Sequence, residues 1–157
     1  MSKNFRKISG HVRQTEDITP GSDGTVASPT KTILDTESGT NFFVDISSNT
    51  AAFVLPAPQA GLWYRFTMAT ASDEEGTKSL ILATSADSVD FGGAITGPFG
   101  FMGAPSFLEV TANTSKITLR SSGAATVGDF VEVISDGTDW YVTGRLQGGA
   151  ASIADGR

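Results

Sequence analysis

Beyond residue 30 the chain alternates apolar and polar positions with a period of two, the signature of strands that bury one face. Leu62, Tyr64, Phe66 and Met68 alternate against Trp63, Arg65 and Thr67, and Phe42, Val44 and Ile46 against Phe43 and Asp45. "KTILDT" reads as a short first strand, "TAAFVLP" as a strand stopped by Pro56, and "LILAT" as a short buried strand. "SFLEVTA" and "SKITLRS" read as a pair joined through Asn113-Thr114. In "VISDGTDWYVTGR" the Asp136-Gly137 pair predicts a two-residue hairpin turn, because both residues tolerate positive φ. That turn sets Ser135 opposite Thr138, Val133 opposite Trp140 and Val131 opposite Val142, with Val131, Val133, Trp140 and Val142 on a core face. Phe130, Glu132, Ile134, Asp139, Tyr141 and Thr143 then share a mixed face, half wet or against a neighbour. About eight or nine strands at short spacing, with no helical pattern, predict an all-β fold. The expectation is an antiparallel β-sandwich, jelly-roll-like, over residues 31–146, with an extended N-terminal arm at 1–30 and a short tail at 147–157.

One stretch breaks the alternation. Asp90 to Pro105, "DFGGAITGPFGFMGAP", reads as a long Gly-rich loop carrying Phe99, Phe101 and Met102. These apolar side chains need cover. They can tuck under the domain's own sheet, or meet a neighbouring subunit around a symmetry axis, which makes them candidate interface residues.

Composition narrows the picture. The 157 residues suffice for one domain with a real core, and the absence of cysteine excludes disulfides and thiolate metal sites. The formal charge of −6 argues against nucleic acid as a partner. Charge is unevenly placed: Lys3, Arg6, Lys7 and Arg13 precede the first acid, Glu16. Phe5, Ile8 and Val12 are interspersed with them, so the segment suits an acidic, partly apolar partner surface. A frayed terminus is the other reading of the same residues. No run has the length and apolarity of a signal peptide or membrane span, so the chain reads as cytosolic when made, with no membrane partner.

Reactive chemistry is hard to assemble from these residues. His11, the lone histidine, sits in the arm beside Arg13, where nothing positions it as a base. "GGAITGPFG" lacks the Lys and Ser/Thr of a phosphate loop. Asp73, Glu74, Glu75, Asp87 and Asp90 do not follow calcium-loop spacing, and Glu109 and Glu132 read as solvent-facing strand residues. No cofactor or metal is expected. The adjacent pairs Trp63-Tyr64 and Trp140-Tyr141 each put one aromatic on either face of a strand, so one of each pair belongs to the core.

Two segments carry a family resemblance. Leu55-Pro56 with Ala60-Gly61-Leu62, and Gly128-Asp129 with Ser135 to Val142, resemble a pattern in tailed-phage virion β-structural proteins, over roughly residues 40 to 145. That family includes capsid decoration (cement) proteins and modules of tail fibres. The resemblance implies a non-enzymatic virion protein, made in the host cytoplasm, that binds the major capsid protein on the outer surface of the head and stabilises it. It also implies a homotrimer. Lys3, Phe5, Arg6, Lys7, Ile8, Val12 and Arg13 are then the candidate capsid contacts, and Phe99, Phe101 and Met102 the candidate subunit contacts. A tail-fibre module that binds a receptor or glycan through Trp63 or Trp140 is the alternative. A tailspike-type hydrolase is a third reading, without an acid pair to support it. Heptads and collagen-like repeats that build fibre shafts are absent.

Overall fold

A computed structural model describes residues 7–8, 11–12, 14–18, 31–47, 50–70, 78–86, 88–97, 106–110, 115–120 and 127–147, with backbone alone for those before 31, for 106–110 and for 120. The described residues form an all-β fold. In chain order the strands are β1 (Lys7–Ile8), β2 (His11–Val12), β3 (Gln14–Ile18), β4 (Lys31–Thr32), β5 (Thr40–Val44), β6 (Ala51–Val54), β7 (Trp63–Met68), β8 (Ser79–Ala83), β9 (Phe91–Gly97), β10 (Ser106–Val110), β11 (Lys116–Arg120), β12 (Phe130–Ser135) and β13 (Trp140–Arg145). A seven-stranded sheet has the order β10-β9-β13-β12-β7-β5-β3, and a four-stranded sheet the order β11-β8-β6-β4. β1 and β2 pair only with each other.

Both sheets are mixed, not antiparallel as expected. From β3 to β8 the chain changes sheet at every step, so successive strands within one sheet run the same way. β3 pairs in parallel with β5, β5 with β7, β4 with β6, and β6 with β8. The antiparallel pairs come afterwards: β9–β10, β8–β11, β7–β12 and β12–β13. β9 joins β13 in parallel. Gln14–Ile18, inside the expected arm, is thus an edge strand of the larger sheet.

The sheets meet through aromatic side chains. Phe53 of β6 packs on Phe42 of β5 with ring centroids 5.9 Å apart, and on Phe66 of β7 at 4.9 Å. Phe42 and Phe66 stack at 5.4 Å, and Tyr64 meets Trp140 at 5.7 Å. Of the expected inward residues of these strands, Phe42, Val44, Ile46, Tyr64, Phe66 and Met68 are buried, and Leu62 is partly buried against them. Each such aromatic pair adds about 0.5–1.5 kcal/mol beyond the area it removes from water.

Local chemistry explains where other expectations fail. The "KTILDT" strand stops after Thr32, and Asp35–Glu37 forms a 3-10 turn instead. The buried Glu37 carboxylate accepts the Leu34 N–H and the Lys31 ammonium, each at 2.9 Å, which fixes the turn. The Tyr64 hydroxyl donates to the Leu34 carbonyl at 3.0 Å. Burial, with Asp35 and Glu37 nearby, pushes that phenol above the ordinary tyrosine range. β10 and β11 lie in different sheets and form no hairpin. The expected Asp90–Pro105 loop begins instead with β9, whose Phe91 is fully buried.

The final hairpin has its expected faces but not its expected register. Ser135 pairs with Trp140, Val133 with Val142 and Val131 with Gly144, leaving a four-residue loop, Asp136–Asp139. The Asp136 Oδ1 accepts the N–H groups of Thr138 and Asp139 at 2.8 and 3.0 Å, and Gly137 takes φ 107°. The side chain therefore closes a longer turn than the dipeptide alone predicts. A shift of two keeps every side chain on its face, because the strand period is two.

Candidate interaction surface

The larger sheet buries one face and leaves the other to solvent, and register fixes which residues meet there. In the first row Trp63 lies opposite Ile134, Ile134 opposite Tyr141, and Tyr141 opposite Gly92. In the second, Arg65 stands between Asn41 and Glu132, and Glu132 opposite Thr143. In the third, Thr67 stands between Phe43 and Phe130, and Phe130 opposite Arg145. Ile134 is 50% and Tyr141 47% exposed, a large exposure for such side chains in the middle of a sheet. Trp63, Phe43 and Phe130 are half-buried.

Polar groups on this face are partly spoken for. The Arg65 guanidinium sits 3.8 Å from the centre of the Phe130 ring, a cation–π contact worth about 0.5–1 kcal/mol near solvent. Its Nε is buried without a hydrogen-bond partner. Thr67 donates its hydroxyl to the Asn41 side-chain oxygen at 2.9 Å. Tyr141 donates to Asp136 Oδ2 at 3.1 Å. Its ring also covers Gly92: a Cβ there would lie 3.7 Å from two carbons of the tyrosine ring. Asp139 accepts the Asp90 N–H at 3.1 Å, tying the hairpin loop to the start of β9.

Hydrogen bonds received from Asp139 and Thr138, and from Tyr141, hold the Asp136 carboxyl below the usual aspartate range, and that carboxylate raises the Tyr141 phenol. Asp45 is lowered by the Thr70 hydroxyl and by Ser47. A carboxyl depressed in the folded state stabilises folding above the unfolded aspartate value of about 3.9, and that contribution is lost as pH falls through the folded value. Denaturant midpoints should therefore drop on acidification below that value. Asp136→Asn should flatten part of this acid limb; an unchanged limb in the variant would remove Asp136 from it.

The residues singled out in the sequence fall unevenly on this frame. Lys3, Phe5, Arg6 and Arg13 lie outside the described residues, as do Phe99, Phe101 and Met102. Lys7 pairs with Val12 and Ile8 with His11 in the small ribbon. Each aromatic pair divides as expected, with Tyr64 and Trp140 in the core. Trp140 is fully buried, so it cannot serve as a surface platform; Tyr141 takes that place beside Trp63. Ile134 and Tyr141 were assigned to a mixed face by the alternation, but only the register brings Trp63 into line with them. Glu132 and Glu109 share a row through Thr143 and Ala94, three strand spacings apart, about 14 Å between α-carbons. Catalytic carboxyl pairs of glycosidases sit about 5–9.5 Å apart. Asp73, Glu74, Glu75 and Asp87 lie outside the described residues.

The segments that carry the virion resemblance, sixty residues apart, prove to be one structural unit. The Gly61 N–H donates to the Ser135 carbonyl and the Ser135 N–H to the Leu62 carbonyl, both at 2.9 Å. At the other end of the β7–β12 pair, Met68 N–H donates to the Asp129 carbonyl at 2.8 Å and Gly128 N–H to the Met68 carbonyl at 2.9 Å. The shared residues clamp the two ends of one ladder. Comparison of the chain with protein-family models, with curated proteins and with solved structures gives no match.

Proposed function

We propose that the protein is a capsid decoration protein of a virus particle. It binds the outer surface of the major capsid lattice, stabilises the head without catalysing a reaction, and acts as a trimer. The observation that carries this reading is the pairing of β3 with β5, immediately after the basic segment that ends at Arg13. A segment that tethers the body to a lattice has to transmit load into the body. Here the chain enters the larger sheet through a five-residue parallel ladder, Gln14↔Thr40 to Ile18↔Val44. The β1–β2 ribbon ahead of it is two residues per strand, and so small a ribbon is marginal in water without a surface to lie on. The β7–β12 ladder, whose two ends are clamped through Gly61, Leu62, Gly128, Asp129 and Ser135 of the virion resemblance, supports the same reading.

Each exposed ion pair made by Lys3, Arg6, Lys7 or Arg13 contributes about 0–1 kcal/mol, so Phe5, Ile8 and Val12 supply part of the affinity, and several copies acting together supply the rest. Deleting residues 1–13 leaves β3 in place. The truncated protein should keep its circular dichroism spectrum while its occupancy on purified capsids falls at least about tenfold, equivalent to 1.4 kcal/mol. Binding of the full chain should also weaken as salt is raised. Occupancy unchanged by the deletion would refute the tether.

A further inference from the structure

We propose that the row Trp63–Ile134–Tyr141 is a binding platform for an uncharged polysaccharide, contacted through the C–H faces of its pyranose rings. The site is separate from the basic segment, because its row lies on β7, β12 and β13, in the middle of the sheet. Sugar rings present a flat apolar face and a rim of hydroxyls, so they are held by aromatic side chains lying along a surface with polar groups beside them. The row meets both requirements. Trp63 and Tyr141 flank Ile134 across two strand spacings, about 9.6 Å, close to the advance of two sugar units in an extended chain.

The platform is also held in place before any ligand arrives. The Tyr141 hydroxyl is fixed by Asp136, which is itself fixed by two backbone N–H groups, and the ring rests against Gly92. A rigid aromatic loses little freedom on binding, which matters for weakly bound sugars. The second row places Asn41, Arg65, Glu132 and Thr143 alongside, within one side chain of the hydroxyls of a chain lying across the strands.

Charge selects among glycans. Asp136 and Asp139 border the Tyr141 end of the row itself, whereas the cations of this face stand in the rows behind it, Arg65 beside Glu132 and over the Phe130 ring, and Arg145 opposite Phe130. Those carboxylates accept hydrogen bonds from sugar hydroxyls and repel uronic or sialic acids. A neutral polymer fits this surface; an acidic one does not.

The molecule contains its own reporter. Of its two tryptophans, Trp140 is fully buried and Trp63 is half-buried on the platform, so a ligand stacked there changes the emission of Trp63 alone. The full chain is titrated with six-unit cello-, xylo- and manno-oligosaccharides, and with a six-unit galacturonate as the acidic control, followed by fluorescence and calorimetry. At least one neutral oligosaccharide should bind, and galacturonate should bind at least tenfold more weakly. Tyr141→Ala and Trp63→Ala should each weaken binding at least tenfold, and Tyr141→Phe, which keeps the ring, should weaken it less. Retention of the parent's circular dichroism spectrum shows that Tyr141→Ala is folded, and retention of the buried Trp140 emission shows the same for Trp63→Ala. The proposal is overturned if no neutral oligosaccharide binds, if both alanine variants bind as well as the parent, or if the face is occupied by a second copy. That last case would appear as self-association that shields Trp63 from a soluble quencher and is abolished by Tyr141→Ala.

Discussion

Phe53→Ala is expected to destabilise the protein by about 3–5 kcal/mol, the range for removing a large aromatic from a packed core. Phe53 is fully buried and is the aromatic of the four-stranded sheet that packs onto the stacked Phe42 and Phe66 rings of the other layer. Removing it opens a cavity at the seam and cuts both inter-sheet ring contacts at once. Domains of this kind have about 5–15 kcal/mol of total stability, so the loss is a large fraction of the whole. For a chain of this length it corresponds to a fall in melting temperature of about 6–20 °C. Phe53→Leu, which keeps most of the volume, should cost under about 1.5 kcal/mol. Urea denaturation of the pair measures both. A cost below about 1 kcal/mol for the alanine variant would mean that the two sheets do not share the core described here.

Gly93→Ala is the second large effect. Gly93 lies in β9 with φ 115°, and a Cβ there would stand 2.2 Å from the backbone oxygen of Val142. Neither the carbonyl nor the ladder that holds it can move aside locally, so β9 has to separate from β13. The left-handed backbone alone costs an L-residue about 1–2 kcal/mol. Gly61→Ala isolates that term: its φ is 86° and its Cβ would meet nothing within 4 Å. The Gly61 variant should lose about 1 kcal/mol, and the Gly93 variant at least twice as much, about 2–4 kcal/mol. Equal losses in the two proteins would show that the β9–β13 contact is looser than the geometry implies.

These glycines also mark where the sequence stops being legible. Alternation located β5, β7, β12 and β13 and assigned their faces, because the buried Phe42, Tyr64 and Val133 alternate with Asn41, Arg65 and Glu132. It missed β9, whose Gly92, Gly93 and Gly97 lack strand propensity. The reason those glycines are there is tertiary: one underlies Tyr141 and another meets the backbone of β13. Sheet membership was equally hidden. A strand pattern says which face is buried, not which neighbour pairs, so a chain that alternates between two mixed sheets reads as an antiparallel sandwich. In the β12–β13 hairpin the dipeptide Asp136-Gly137 points to a short turn, while the Asp136 carboxylate gathers two further N–H groups. The surface row followed the same logic. Ile134 and Tyr141 were visible as outward residues, but their alignment with Trp63 depends on register across β7, β12 and β13.

The alternation of the chain between its layers has a kinetic consequence. Asn41 meets Arg65, and Ala51 meets Leu80, across a segment that crosses to the opposite layer and back. Neither layer is made from a continuous run of chain, so closing one brings strands of the other alongside it. Refolding through this region should show a single cooperative phase, its barrier set by closing these wide loops.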